Sequence, residues 1–442
     1  MSPWAGRLPN GLALTVERPA GEGSGLVSVA LTVAAGGDDD PAGAHGTAHL
    51  VEHLMFPRAA EGEGQDGHVA RIEGAGGVCN AETHRDHTVF HTTVPAGMLP
   101  AVLEWEAERL LGFAPEEAVV RTETAVIGEE IRGAAAGGRV WEAALGALHP
   151  GRRDSFGTPA ELARVTAGDA AAFFRRHYRA GAMALSVAGD VDPDRVAGKV
   201  ATLFADLPGG GRPPGAEGVP RGTGLPGGAG LPGGTAHTGG TGLPGGAGVA
   251  GAGAPGVIRT APLASPVSGA ALGHPLPDPV ADRHGYLAYV VLAEVLGRGV
   301  LPRFTRRDPR VASARITCGY HGQWLGSAAP DLALVLLACA PGATPAEAAD
   351  GWPEVLAEVA ARPPAGAEHR RALNSLLLAC HRAADSLTSR AVAHGRTALL
   401  FPGASPAGLP HELARVTPAD VSEAARALLA GPRSVTELGG TP

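Results

Sequence analysis

The stretch His49-Leu50-Val51-Glu52-His53, set between Gly46-Thr47-Ala48 and Leu54-Met55-Phe56, decides how this 442-residue chain is read. Ala48, Leu50, Val51 and Leu54 recur at helical spacing, so Thr47 to Met55 is expected as a helix with one apolar side. On such a helix His49 and His53 lie one turn apart on the same face, about 6 Å from each other. Two imidazoles placed this way can converge on one Zn2+ at about 2.0–2.1 Å. Glu52 projects beside that face, where its carboxylate can accept a proton from water. By itself the pentapeptide also describes a polar helix face that binds nothing. A catalytic zinc takes three protein ligands, so a third must be found.

The best candidate lies in Glu123-Thr124-Ala125-Val126-Ile127-Gly128-Glu129-Glu130. Glu123 and Glu130 stand two helical turns apart and share a face, whereas Glu129 points about 100° away from Glu130. Only one of the adjacent pair can therefore serve.

Composition narrows the class. With 44% apolar and 18% charged residues the chain suits a soluble globular protein, and a formal charge of −8 argues against a nucleic-acid partner. Cys79, Cys318, Cys339 and Cys380 form no CxxC pair, as expected of reduced thiols in a cytoplasmic protein. The start MSPWAGRLPNGLALTV lacks a charged segment leading into a long apolar core, so no signal peptide is expected. No run reaches the roughly 18 apolar residues of a membrane span, and no membrane partner is expected.

Around GLPGGAGLPGGTAHTGGTGLPGGAG the character changes. The Gly/Pro-rich region 206–256 has little to bury against its ordering entropy and reads as a flexible linker. It separates residues 1–205 from residues 257–442. Strands are expected at Leu26 to Ala34, Thr88 to Val94 and Ala184 to Gly189, with helices at Met98 to Leu111, Pro115 to Arg132 and Asp192 to Phe204. The second half repeats this grammar, with strands at Ala261 to Ala271 and Leu332 to Ala338. Its helices are expected at Asp282 to Leu296, Pro345 to Ala361 and Glu368 to Ala384. The fold class is thus α+β: two homologous halves of mixed or antiparallel sheet packed with helices, joined by the linker.

The chain resembles the inverted-zincin peptidase family of pitrilysin, insulin-degrading enzyme and mitochondrial processing peptidase, especially its short bacterial members. The resemblance runs through Leu8 to Leu12, Val27 to Ala35, Gly46 to Phe56, Gly76-Gly77-Val78-Cys79-Asn80-Ala81-Glu82-Thr83 and Glu123 to Arg132. It continues at Phe156-Gly157-Thr158 and Tyr178 to Asp192, and more faintly in the second half. It implies zinc held by His49, His53 and Glu130, Glu52 as general base, and Glu123 supporting the site. It also implies a peptide substrate whose backbone pairs with an edge strand at Asn80 and Ala81. His84, His87 and His91 carry no ligand pattern of their own and are expected as solvent or packing residues.

In that family an arginine, and a tyrosine seven residues later, reach across a chamber to the substrate. Arg306 takes the arginine place here, but the same step leads to Ser313, from Arg307 it leads to Ala314, and Tyr320 is out of register. The resemblance therefore implies the zinc-bearing subunit of a heterodimer whose homologous partner supplies the arginine and tyrosine. A self-sufficient homodimer is the alternative, and a non-catalytic structural or peptide-binding subunit is a third reading.

Overall fold

Large aliphatics alternate with small residues along β3 (Leu26–Val33), where Val27, Val29, Leu31 and Val33 interleave with Ser28, Ala30 and Thr32. All of these are buried, so both faces of the strand are covered. The structure, a computed structural model, describes residues 3–19, 23–56, 67–135, 139–212 and 256–440. Most of the expected linker, 213–255, lies outside the described residues.

The first sheet has six strands: β1 (Trp4–Arg7), β2 (Ala13–Glu17), β3, β4 (Val78–Thr83), β5 (Thr88–Pro95) and β6 (Met183–Gly189). They run in the order β1-β2-β6-β3-β5-β4. β4 ends that order and, among the described strands, pairs only with β5, from Val78↔Thr93 to Thr83↔Thr88. The large side chains of β3 enter a core with Leu50, Val51 and Leu54 of α1 (Thr47–Leu54) and Leu103 and Leu110 of the helix Leu99–Leu111.

The second sheet contains β7 (Val257–Arg259), β8 (Leu263–Ser265), β9 (Gly269–Pro275), β10 (Val311–Cys318), β11 (Leu332–Cys339) and β12 (Arg433–Gly440). Its order β10-β11-β9-β12-β7 copies β4-β5-β3-β6-β2. The orientations copy too: three antiparallel pairs and then a parallel one, β12 with β7 as β6 with β2. The duplication expected from element order is therefore present strand by strand.

Each half lends a helix to the other. The helix Leu387–Leu400 lies across β3 and β6, with Ala391 against Ala30 and Ala188. Gly395 makes this approach possible, because a Cβ there would come within 2.3 Å of Thr32 Oγ1. In return Val140–Leu148 lies on β9 and β12, where a Cβ on Gly273 would meet the Ala144 methyl at 2.8 Å. Small residues on the outer face of each sheet are thus the footprint of the borrowed helix.

Two expectations need correction. The strand read over Ala261 to Ala271 is broken into β8 and β9 around Pro266, which has no N–H to give to a ladder. The helix read over Pro345 to Ala361 divides at Gly351, where a Cβ would lie 2.9 Å from Phe304 and from Asp308. Arg283–Arg307 forms a continuous 25-residue helix of the length and composition of a membrane span, and 56% of its apolar 18-residue stretch is buried inside the protein. Tyr286, Leu287, Val290 and Val291 place it in the second half's core.

Candidate metal centre and its cavity

Asp40 anchors the helix that carries the histidines. Its carboxylate accepts from the Gly46 N–H at 2.6 Å and the Ala48 N–H at 2.7 Å, satisfying donors that an α-helix start leaves open. Gly46 has a φ of 105°, a left-handed turn into the helix, and a Cβ there would strike Leu162 at 2.7 Å. His45 bridges this anchor to the loop below, with Nδ1 3.0 Å from Asp40 and Nε2 3.4 Å from Asp154. Burial opposes its charge, but the bonds to Asp154 and Asp40 prevail and raise its pKa to about 9. Asp154 in turn accepts from the N–H groups of Phe156 and Gly157.

That loop fixes the first imidazole: His49 Nδ1 lies 3.4 Å from the Phe156 carbonyl. The second is fixed by Glu123, whose carboxylate lies 3.1 Å from His53 Nδ1. With both Nδ1 atoms engaged, each Nε2 is left to face Glu130, at 3.4 Å from His49 and 3.7 Å from His53. One ligand atom from each of the three falls within 4.8 Å of the others. Tetrahedral zinc with bonds of about 2.0–2.1 Å needs its donors roughly 3.3 Å apart, so the set fits. The bond to His49 also lowers the Glu130 pKa, favouring its ionised form.

The helix Glu117–Ala135 explains why Glu130, and not Glu129, turns inward. Val120, Ile127 and Ile131 are buried on the side facing α1, and Glu123 is buried with them. Glu129 points outward and pairs with Arg132. Glu52 is held from β4: the Thr83 hydroxyl donates to its Oε2 at 2.5 Å. That bond fixes one oxygen of the carboxylate beside the metal ligands.

The ligands open into a cavity of about 910 Å³ that Asn80 and Ala81 also line. Arg306 does not line it; it is exposed on the helix Leu301–Arg307. Ser313 is exposed on β10. Tyr320, set aside on register, does line the cavity together with His321 and Gln323, and its hydroxyl bonds to Ser155. His84 and His87 are buried and stacked, ring centroids 4.3 Å apart, and His84 also lines the cavity. Between them Asp86 accepts from the Ala328 and Ala329 N–H groups, tying the tip of the β4–β5 hairpin to the second half.

Sequence reasoning missed Thr83, the Asp40–His45–Asp154 bridge and the Tyr320–His321 turn. For Thr83 a signal existed, since strand alternation puts it on the same face as Ala81. For the others a decisive partner lies far off in sequence, Asp154 from His45 and Ser155 from Tyr320.

The family described as Insulinase (Peptidase family M16) matches residues 20–136, and that described as Peptidase M16 inactive domain matches residues 164–233. An uncharacterized zinc protease of Mycobacterium leprae is 31% identical over 204 residues, 45% of this chain and 45% of that protein. A probable mitochondrial-processing peptidase subunit beta of Arabidopsis thaliana is 28% identical over 212 residues, 45% of this chain and 38% of that protein. The aligned stretch thus spans less than half of either curated relative. A protease from Helicobacter pylori superposes with a TM-score of 0.76 over 99% of both chains at 16% identity. A chain of complex III2 from Candida albicans, Inz-5 bound, superposes with a TM-score of 0.73 over 99% of this chain and 95% of that one at 12% identity. At such identities the two superpositions establish the fold alone.

Proposed function

With peptidase M16 (insulinase-like) domains in its sequence, we propose that this chain is the zinc-bearing subunit of a metalloendopeptidase that cleaves short or unfolded peptides. The observation that carries the reading is the convergence of His49, His53 and Glu130 within 4.8 Å, with Glu52 held beside them by Thr83.

His49, His53 and Glu130 would hold the metal, which when bound supplies Lewis-acid polarisation of a carbonyl and acidification of water. Glu52 accepts the proton of the attacking water and delivers it to the leaving amine. Glu123 keeps His53 in the tautomer whose Nε2 is free, and the Phe156 carbonyl does the same for His49. The open edge of β4 takes the peptide backbone as an added strand, which selects extended segments without demanding one sequence.

A homologous partner completes the site in this proposal. Ser313 stands where the resembled family places a phenol, and Arg306 is exposed outside this chain's own cavity lining. Losing one oxyanion donor commonly costs about 10²–10³ in rate. The test measures cleavage of an unstructured peptide by this chain, by a candidate homologue carrying the arginine–tyrosine pair, and by the mixture, with and without chelator. The expected result is slow cleavage by either alone, a large gain on mixing and abolition by chelator. Robust, chelator-sensitive cleavage by this chain alone, unchanged by Arg306→Ala, would favour the self-sufficient homodimer. Absence of bound zinc would sink the peptidase reading altogether.

A further inference from the structure

The second half sends one strained turn into the first half's cavity. Tyr320 and Gln323 pair across it as an isolated bridge, with His321 and Gly322 at its tip. Both tip residues are left-handed, His321 at a φ of 46° and Gly322 at 87°. Glycine occupies that region freely, whereas a side chain there is strained and persists only where its surroundings hold it. Gly319, just before the turn, is also left-handed, and a Cβ there would lie 2.5 Å from the Gln323 carbonyl. The local sequence therefore uses glycine at two left-handed positions and an imidazole at the one between them.

That imidazole borders the cavity that the metal ligands line. Its ring meets Tyr320 at 4.6 Å, Trp141 at 5.1 Å and Phe156 at 6.1 Å between centroids. Phe156 in turn meets the His49 ring edge-on at 6.2 Å. His84, which follows the last residue of β4, packs against Tyr320 at 5.3 Å. A peptide added along β4 would consequently leave its strand register, at the Thr83 end, beside this turn. Glu142 Oε1 lies 3.5 Å from His321 Nε2, and among the described residues no hydrogen bond engages Nδ1. Burial lowers the ring's pKa against the pull of Asp154, so at neutral pH it is an uncharged group suited to peptide amides.

We propose that His321 is a substrate-contacting residue, supplied by the second half of the same chain, which hydrogen-bonds the backbone of a peptide as it passes the Thr83 end of β4. The proposal rests on the peptidase reading and adds to it a contact that needs no partner subunit. It also gives the strained backbone a purpose, because a glycine would relieve the strain and lose the contact.

The test uses the full chain, zinc-loaded and carrying Glu52→Gln, so that peptide binds without being cleaved. Binding of a fluorescently labelled, unstructured peptide is followed by anisotropy. Adding His321→Gly should weaken binding about five- to tenfold, the loss of one hydrogen bond, without lowering the melting temperature or the zinc content. His321→Asn, which tolerates a left-handed backbone and keeps a polar group, should recover part of the affinity. In the Glu52→Gln protein with His321 intact, the His321 ring resonances should move as peptide is added. An unchanged dissociation constant in His321→Gly, or ring resonances that stay still while peptide binds, would overturn the assignment. If peptide fails to bind the zinc-loaded Glu52→Gln protein both alone and mixed with the homologue carrying the arginine–tyrosine pair, the peptidase reading falls rather than this contact alone.

Discussion

The two halves share a sheet order and place a helix at the same point, between a long central strand and the edge hairpin, yet those helices differ in kind. In the first half it is α1, whose polar face carries His49, Glu52 and His53 into the cavity. In the second it is Arg283–Val295, which buries Tyr286, Leu287, Val290, Val291 and Val295 and continues through a π turn, Leu296–Val300, into Leu301–Arg307. Its histidine and glutamate, His284 and Glu294, are too far apart to share one turn. The scaffold is present in both copies, while the candidate metal ligands occupy a few positions of one, so the site and not the fold distinguishes the halves.

The comparison breaks most visibly if the metal is not confined to the first half. One zinc per chain is expected, lost in Glu130→Gln and retained in Glu129→Gln, with metal analysis after dialysis as the check. The reverse result, or zinc that survives in Glu130→Gln, would place the third ligand elsewhere. Glu52→Gln should keep the zinc and the fold and lower the kcat of peptide cleavage about 10³-fold, within the usual range for a general base. Retained turnover in that metal-loaded variant would remove Glu52 from its role.

Smaller effects sharpen the contrast. Thr83→Val should reduce kcat about tenfold with little change in KM, and Thr83→Ser should restore it, because only the hydroxyl orients Glu52. Equal rates for Val and Ser would reduce Thr83 to a packing residue. His45 offers a pH signature specific to the first half. Its folded pKa is raised from 6.5 to about 9, so the stability it contributes is full below about pH 6.5 and is lost as pH rises through about 9. Denaturant titrations across that window should therefore flatten in His45→Gln; an unchanged slope would show the bridge to be energetically silent. Shortening the Gly/Leu/Pro segment within 213–255 should matter least, since loop closure changes by only about 0.6 kcal/mol per doubling of length. Loss of cooperative unfolding after a moderate deletion would count against its being a linker.

What was legible in the sequence was what depends on local period. The helix expected over Thr47 to Met55 is found over Thr47–Leu54, and the one expected over Pro115 to Arg132 over Glu117–Ala135, because apolar spacing fixes a helix and its buried side. The same rule separated Glu130 from Glu129. Residues joined through tertiary contact were not legible. Asp154 reaches His45 across more than 100 residues, and His321 enters the cavity only because the second half closes on the first. The exchanged helices had a faint mark, the small residues Ser28, Ala30 and Thr32 on β3, but nothing local says which helix they receive.

That exchange makes the pair of halves a clasp rather than two beads on a string. A single cut between residues 213 and 255 would leave each fragment with one sheet face roofed by the other, so the nicked protein should migrate as one particle and melt in one step. Expressed separately, each fragment would present a bare row of small residues and lack the helix that covers it, and neither should fold until its counterpart arrives. By that standard the smallest independent unit of this molecule is the clasped pair, and the ancestral single copy could have met the same need only by clasping a twin.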